Sequence, residues 1–152
     1  MKYGISIDIN RCTGCQACAV TCMDQNDLDG APGDPAWRTV FRVEDAMAPA
    51  SKSYYISIGC MHCSTAPCIA GCPSGALQRE DDGMVTVDES VCIGCRTCLS
   101  LCPFGAPRFN RAGKMQKCDL CSERIHAGLD PACIRVCPTR ALKLELPGAP
   151  GL

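Results

Sequence analysis

Several things are scarce in this chain, and each scarcity closes a route. Aromatic residues make up 5% of the 152 positions, as three Phe, three Tyr and one Trp, so the side chains that usually dominate a core are few. Neither sign of charge is in excess: 15 Lys and Arg against 16 Asp and Glu leave a formal net charge of −1. That balance gives no electrostatic footprint for nucleic acid or for an anionic membrane surface. No run approaches the roughly 18 apolar residues of a membrane span, and direct membrane insertion is not expected. The first residues, MKYGISIDINRC, show neither a basic n-region nor an apolar h-region. The expectation is a cytoplasmic protein, or one exported only in complex with a partner that carries the signal. Also absent are G-x-G-x-x-G, a P-loop, H-E-x-x-H and G-x-S-x-G, so the chain is not expected to catalyse a reaction by itself.

What is abundant is cysteine: 16 of 152 residues, far above ordinary usage. Disulfides would need an oxidising compartment, which nothing in the N-terminal residues announces. Metal is the better reading, and the spacing narrows it. Residues 92–103, CIGCRTCLSLCP, place Cys92, Cys95, Cys98 and Cys102 before Pro103. This is the C-x₂-C-x₂-C-x₃-C-P run of bacterial two-cluster proteins. Three thiolates at such short intervals wrap one face of a cubane, and the fourth leaves on the start of a helix to ligate a neighbouring cluster. The proline fixes φ and removes a competing N–H.

Three further groups follow the same plan. Cys12, Cys15, Cys18 and Cys22 repeat the 2-2-3 spacing, offset so that Asp8 falls on Asp88 and Cys12 on Cys92. The unit is strand, cluster loop, short helix, and the chain reads as an internal pseudo-repeat. Cys60, Cys63, Cys68 and Cys72 are spaced 2-4-3, and Cys118, Cys121, Cys133 and Cys137 are spaced 2-11-3; Pro73 and Pro138 follow the last member of each. Four groups of four use all sixteen cysteines, the number that four [4Fe–4S] clusters require. Zinc is the rival, since paired C-x₂-C units also build Cys₄ sites, but a third Cys at x₂ and a fourth before Pro suit a cubane better.

Between the groups, residues 4–9 alternate as a half-buried strand. Residues 23–37 read as a loop, and 37–43 and 54–58 as strands with a small-residue connection at 45–53. Residues 76–87 read as a hairpin across Asp82-Gly83, 122–127 as a helical turn stopped at Gly128, 141–146 as a last strand and 147–152 as a frayed tail. One hairpin joins the second and third groups, so they pair. Under the crossover rule Cys60, Cys63 and Cys68 share a cluster with Cys102, and Cys92, Cys95 and Cys98 share one with Cys72. By elimination Cys12, Cys15 and Cys18 go with Cys137, and Cys118, Cys121 and Cys133 with Cys22. The fold class is α+β: two ferredoxin-like 2[4Fe–4S] modules, residues 1–52 and 107–152 forming the outer one and 53–106 the one inserted in it.

The series 2-2-3, 2-4-3, 2-2-3, 2-11-3 resembles the four-cluster iron–sulfur subunits of molybdopterin oxidoreductases, the dimethyl sulfoxide reductase and formate dehydrogenase group. The stretches RCTGCQACAVTCMDQND at 11–27, HCSTAPC at 62–68, VDESVCIGCRTCLSLCPFGAPRF at 87–109 and GKMQKCDLC at 113–121 carry the likeness over nearly the whole chain. The resemblance implies an electron-transfer subunit. It would relay electrons between a catalytic molybdo- or tungstopterin subunit and a second redox donor or acceptor protein, through the same crossed ligands. A transmembrane helix such as ends membrane-bound formate dehydrogenase relatives is not expected, and neither is membrane attachment through this subunit. Other readings are a free polyferredoxin carrier, the small subunit of a tungsten aldehyde oxidoreductase or hydrogenase complex, and a maturation factor or zinc scaffold. Lys114 and Lys117 are candidates for tuning a cluster, with a solvated turn as the plain alternative. His62 and His126, beside cluster loops, are expected at the surface, with a hydrogen bond to a cluster sulfur as the alternative, and Trp37 in a core or a subunit contact.

Overall fold

The computed structural model describes residues 3–31, 34–45 and 52–146. The connection around 46–51 and the tail 147–152 lie outside them, as do two residues of the expected 23–37 loop. Within them the chain forms four two-stranded antiparallel ribbons and five short helices, a small α+β architecture.

The first and last strands pair. In β1 (Gly4–Ile7) and β8 (Leu142–Glu145), Gly4 lies opposite Glu145 and Ile7 opposite Leu142, and the Asp8 N–H continues the ladder to the Ala141 carbonyl at 2.8 Å. The cysteine loop at 12–18 then enters α1 (Ala17–Gln25). β2 (Thr39–Asp45) and β3 (Lys52–Ile58) form the longest ribbon, with Val40 opposite Ser57. It runs across residue 52, where the sequence suggests a module boundary. After α2 (Pro67–Ala70), β4 (Leu77–Arg79) and β5 (Val85–Val87) make the hairpin expected from Asp82-Gly83. Gly83 takes φ +87°, and Asp82 Oδ1 accepts from the Met84 N–H at 2.9 Å. Asp88 N–H reaches the Ala76 carbonyl at 2.8 Å, as Asp8 does Ala141.

α3 (Thr97–Leu101) follows, and then a hairpin that the sequence does not suggest: β6 (Arg108–Phe109) with β7 (Met115–Gln116). α4 (Ser122–His126) ends just before Gly128 at φ +73°, and α5 (Ala132–Val136) leads into β8. Helices below roughly 12–15 residues are marginal alone, and four of these have only four or five residues. Packing must hold them: α1 lies on α5 and α2 on α3.

Two small cores do this. One gathers Leu77, Val85, Met115, Cys92 and Cys98, with Phe109 at its edge; the other gathers Ile134, Leu142, Cys18, Cys133 and Cys137. Cysteines stand where Leu or Phe would stand in an ordinary domain. Arg108, whose side chain donates to the Ala36 carbonyl (3.3 Å) and to Thr39 Oγ1 (3.1 Å), ties β6 to the start of β2. His126 Nε2 meets Asp82 Oδ2 at 2.9 Å, tying α4 to the β4–β5 turn. Among the described residues no helix is long and apolar enough to cross a membrane.

Candidate metal centres

All sixteen cysteines are free thiols, and twelve of them line three cavities in fours. Cys12, Cys15, Cys18 and Cys137 line one small cavity. Cys22, Cys118, Cys121 and Cys133 line a second. Cys72, Cys92, Cys95 and Cys98 line a third. In the remaining group the Cys68 thiol lies within electrostatic reach of Cys102, and Cys60 within reach of Cys68. Neighbouring sets touch electrically as well: Cys98 senses Cys68, Cys60 senses Cys118, and Cys133 senses Cys18. Thiols of successive groups therefore lie within electrostatic reach of one another.

The loops close by left-handed backbone at regular places. Gly14 and Gln16 take φ of 70° and 65°, and Gly94 and Arg96 take 69° and 64°. Glycine is needed at the first of each pair for room as well as for φ. A Cβ on Gly14 would sit 2.3 Å from the Tyr55 ring, and one on Gly94 would sit 2.7 Å from the Gly113 carbonyl oxygen. In the C-x₂-C pairs of the other groups, His62 and Leu120 take φ of 45° and 63°, and both are 1% exposed.

The Cys-Pro steps have a purpose that spacing does not announce. After Cys72, Cys102 and Cys137 the proline opens a turn, and the third residue on (Gly75, Gly105, Arg140) is left-handed with its N–H returned to the cysteine carbonyl at 3.2–3.3 Å. The next N–H then faces sulfur: Ala106 to Cys102 Sγ at 3.4 Å and Ala141 to Cys137 Sγ at 3.3 Å. Cys22 has Met23 after it instead of proline. α1 accordingly runs on to Gln25, and Asn26 Nδ2 faces the Cys22 sulfur at 3.7 Å. Other loop N–H groups donate to sulfur too: Met115 to Cys92 (3.4 Å), Leu120 to Cys118 (3.4 Å) and His62 to Cys60 (3.5 Å).

Thiol acidity follows the surroundings. Burial pushes Cys22 up to about 12, and Cys60, Cys98 and Cys133 to about 11. At Cys72 and Cys137 partial burial acts upward, but N–H donors after the proline and the hydroxyls of Ser74 and Thr139 outweigh it and lower both. Cys95 is lowered by Thr97.

Charged neighbours are few. Lys114 donates to the Cys92 carbonyl, and Lys117, 3% exposed, donates to the Val85 carbonyl and to that of Cys118 at 3.0 Å. Neither lysine is therefore a plainly solvated turn residue. Of the two histidines expected at the surface, only His126 is there. His62 is buried, with Nδ1 accepting the Val85 N–H at 2.9 Å, because the β5 backbone needs an acceptor inside the loop. Trp37 is half-buried. Arg38 and Ser57, both buried beside thiols, are not visible as site residues from the sequence. The one signal is that Arg38 shares the alternation phase of Val40, which packs inward.

Among the described residues no three His, Cys, Asp or Glu side chains converge as ligands of a single ion would. Four thiols instead line each of three cavities, with N–H and hydroxyl donors directed at sulfurs; Asp119 is the one carboxylate residue in the three linings. That donor set fits a polynuclear iron–sulfur group, whose sulfurs take hydrogen bonds.

Comparison with known proteins agrees. The 4Fe-4S dicluster domain family matches residues 51–146. The sequence is 41% identical over 150 residues to the B subunit of the anaerobic dimethyl sulfoxide reductase of Escherichia coli, covering 93% of this protein and 72% of that one. It is 40% identical over 145 residues to the thiosulfate reductase electron transfer subunit of Salmonella typhi, covering 93% and 74%. With the iron-sulfur subunit of the nitrate-inducible formate dehydrogenase of Escherichia coli the identity is 37% over 152 residues, covering 90% and 51%.

Proposed function

Because the chain belongs to the 4Fe-4S dicluster family of iron–sulfur subunits that includes those of dimethyl sulfoxide reductase and formate dehydrogenase, we propose that it is the electron-transfer subunit of a molybdo- or tungstopterin oxidoreductase. In that role it holds four [4Fe–4S] clusters and connects the catalytic subunit to a second redox protein. The observation that carries this is the succession of thiol groups within electrostatic reach of one another, with Cys95 in one end set and Cys15 in the other, both exposed. Clusters bound there supply one-electron centres. The chain itself orders the thiols, shields them from water and directs hydrogen bonds at their sulfurs.

The ligand sets are those that line the cavities, with Cys60, Cys63, Cys68 and Cys102 as the fourth. Each set takes three cysteines from one group and the last from its partner. This crossing fits a nested arrangement, in which the paired first and last strands close an outer module around an inner one. The matched left-handed positions 14/94 and 16/96, and the Asx turns at Asp8 and Asp88 with N–H to Oδ1 distances of 3.0 and 2.8 Å, favour an internal duplication. The β2–β3 and β6–β7 ribbons bridge the modules. On this reading catalysis belongs to the partner, and the thiol-lined cavities of this chain are cluster sites.

Anaerobic purification with iron, sulfide and zinc analysis, keeping the proteins that co-purify, is the test. About sixteen iron and sixteen sulfide per chain are expected, together with a pterin-containing subunit. Zinc in place of iron and sulfide would end the reading.

A further inference from the structure

Arg38 is 3% exposed, and burying a guanidinium costs several kcal/mol unless its charge is met. Among the described residues no carboxylate pairs with it. Its hydrogen bonds go to the Ser57 carbonyl (3.3 Å) and Ser57 Oγ (3.1 Å). Burial alone would pull its pKa down. The thiolates of Cys133, Cys118, Cys18 and Cys22 reverse this and hold it above its ordinary value. Those four belong to two different sets, and Arg38 itself lines the cavity of Cys22, Cys118, Cys121 and Cys133. Gly59 makes the room, since a Cβ there would approach Arg38 Nη2 to 3.2 Å.

Ser57 extends the reach. A guanidinium can only donate, so Ser57 Oγ accepts from Arg38. Its own proton is then free to point at Cys18 Sγ, 3.2 Å away. The cation thus acts on the Cys22 set directly and on the Cys18 set both through space and through a hydroxyl fixed in donor orientation.

We propose that Arg38 is a shared charge compensator for the two clusters held by Cys12, Cys15, Cys18, Cys137 and by Cys22, Cys118, Cys121, Cys133, raising the reduction potential of both, with Ser57 adding a hydrogen bond to the first alone. This rests on the four-cluster reading above. A cation beside a cluster, and a hydrogen bond to its sulfur, both stabilise the added electron. Asp119 lines the same cavity, but among the described residues it makes no ion pair with Arg38, and the buried guanidinium is weakly screened by water.

The experiment is a potentiometric titration followed by electron paramagnetic resonance, on the intact complex, with iron and sulfide measured first for each protein. An unmutated chain without four clusters overturns the functional reading itself, independently of Arg38. Given four clusters, Arg38→Met should lower two of the four midpoint potentials and leave the other two in place. Arg38→Lys should leave the same pair nearer their original values. Ser57→Ala should lower one potential only, and it keeps the proposal testable should Arg38→Met fail to load. Four unmoved potentials in loaded Arg38→Met, a uniform shift of all four, or no shift in Ser57→Ala would overturn the proposal.

Discussion

Lys117, next in the chain to Cys118, donates its ammonium to the carbonyl oxygen of Val85, 32 residues away on β5. One buried cation thereby joins the hairpin beside the Cys60 set to the loop of the Cys118 set. Its charge is felt at Cys60 and Cys68, whose thiol pKa values burial raises and Lys117 draws back down. Lys117→Met leaves the Val85 and Cys118 carbonyls without this donor, at about 1–3 kcal/mol. The expected result is a lower melting temperature together with a lower potential for the Cys60, Cys63, Cys68, Cys102 cluster. A merely structural lysine would change the first and not the second.

Cluster loading should depend on pH unequally across the sets. Ligation needs thiolates, so protons compete with iron for each sulfur. Cys22 is pushed up to about 12 and Cys133 to about 11, and burial raises Cys121 too; in the other set Cys98 is raised to about 11, but Cys72 and Cys95 are lowered. A raised thiol pKa means the proton competes better as pH falls. On acidification the Cys22, Cys118, Cys121, Cys133 cluster should therefore be lost at a higher pH than the Cys72, Cys92, Cys95, Cys98 cluster. Spectroscopic counting of clusters during a stepwise descent in pH checks the order, and the reverse order would refute it.

Gly94 and Gly105 both adopt left-handed backbone, at φ 69° and 58°. A Cβ on Gly94 meets a backbone oxygen at 2.7 Å, while one on Gly105 meets nothing within 4 Å. Gly105→Ala should cost only the conformational strain, about 1–2 kcal/mol. Gly94→Ala should cost more, and should reduce occupancy of the cluster at Cys92, Cys95 and Cys98, since the Gly113 backbone cannot move away without disturbing β7. Thermal melts and iron content of the two variants, side by side, decide it.

Local chemistry explains which parts of the fold are legible in the sequence. The cysteine loops, the Asp82-Gly83 hairpin and the stop at Gly128 are written in residues that act on their immediate neighbours. The β6–β7 ribbon has two-residue strands, too short for alternation to register, and is held by Phe109 and Met115 packing on a distant core. His62 sits in a C-x₂-C loop whose burial depends on β5 arriving over it. Arg38 lies in a strand-like stretch, WRTVFRV, where a lone cation reads as solvent-facing. Only the tertiary meeting of β2, β3 and two cysteine loops turns it inward. The proline after a crossing cysteine is legible for its φ, but its use, turning a later N–H onto sulfur, needs the turn's geometry.

The sharpest consequence concerns the ends of the series. Cys15 and Cys95 are the exposed cysteines, one in the set completed by Cys137 and one in the set completed by Cys72. An electron path needs entry and exit near the surface, and on the proposed reading both ends are met by docked proteins. Replacing Cys12 by Ser removes or converts the cluster at one end while leaving the other three sets their thiols. In the assembled complex, an artificial dye that reaches the catalytic subunit directly should still be turned over. Turnover coupled to the physiological donor or acceptor should collapse. Coupled turnover that survives Cys12→Ser, with loss of that cluster verified spectroscopically, would place this site off the path. Turnover of a substrate by the isolated chain would remove the electron-transfer reading altogether.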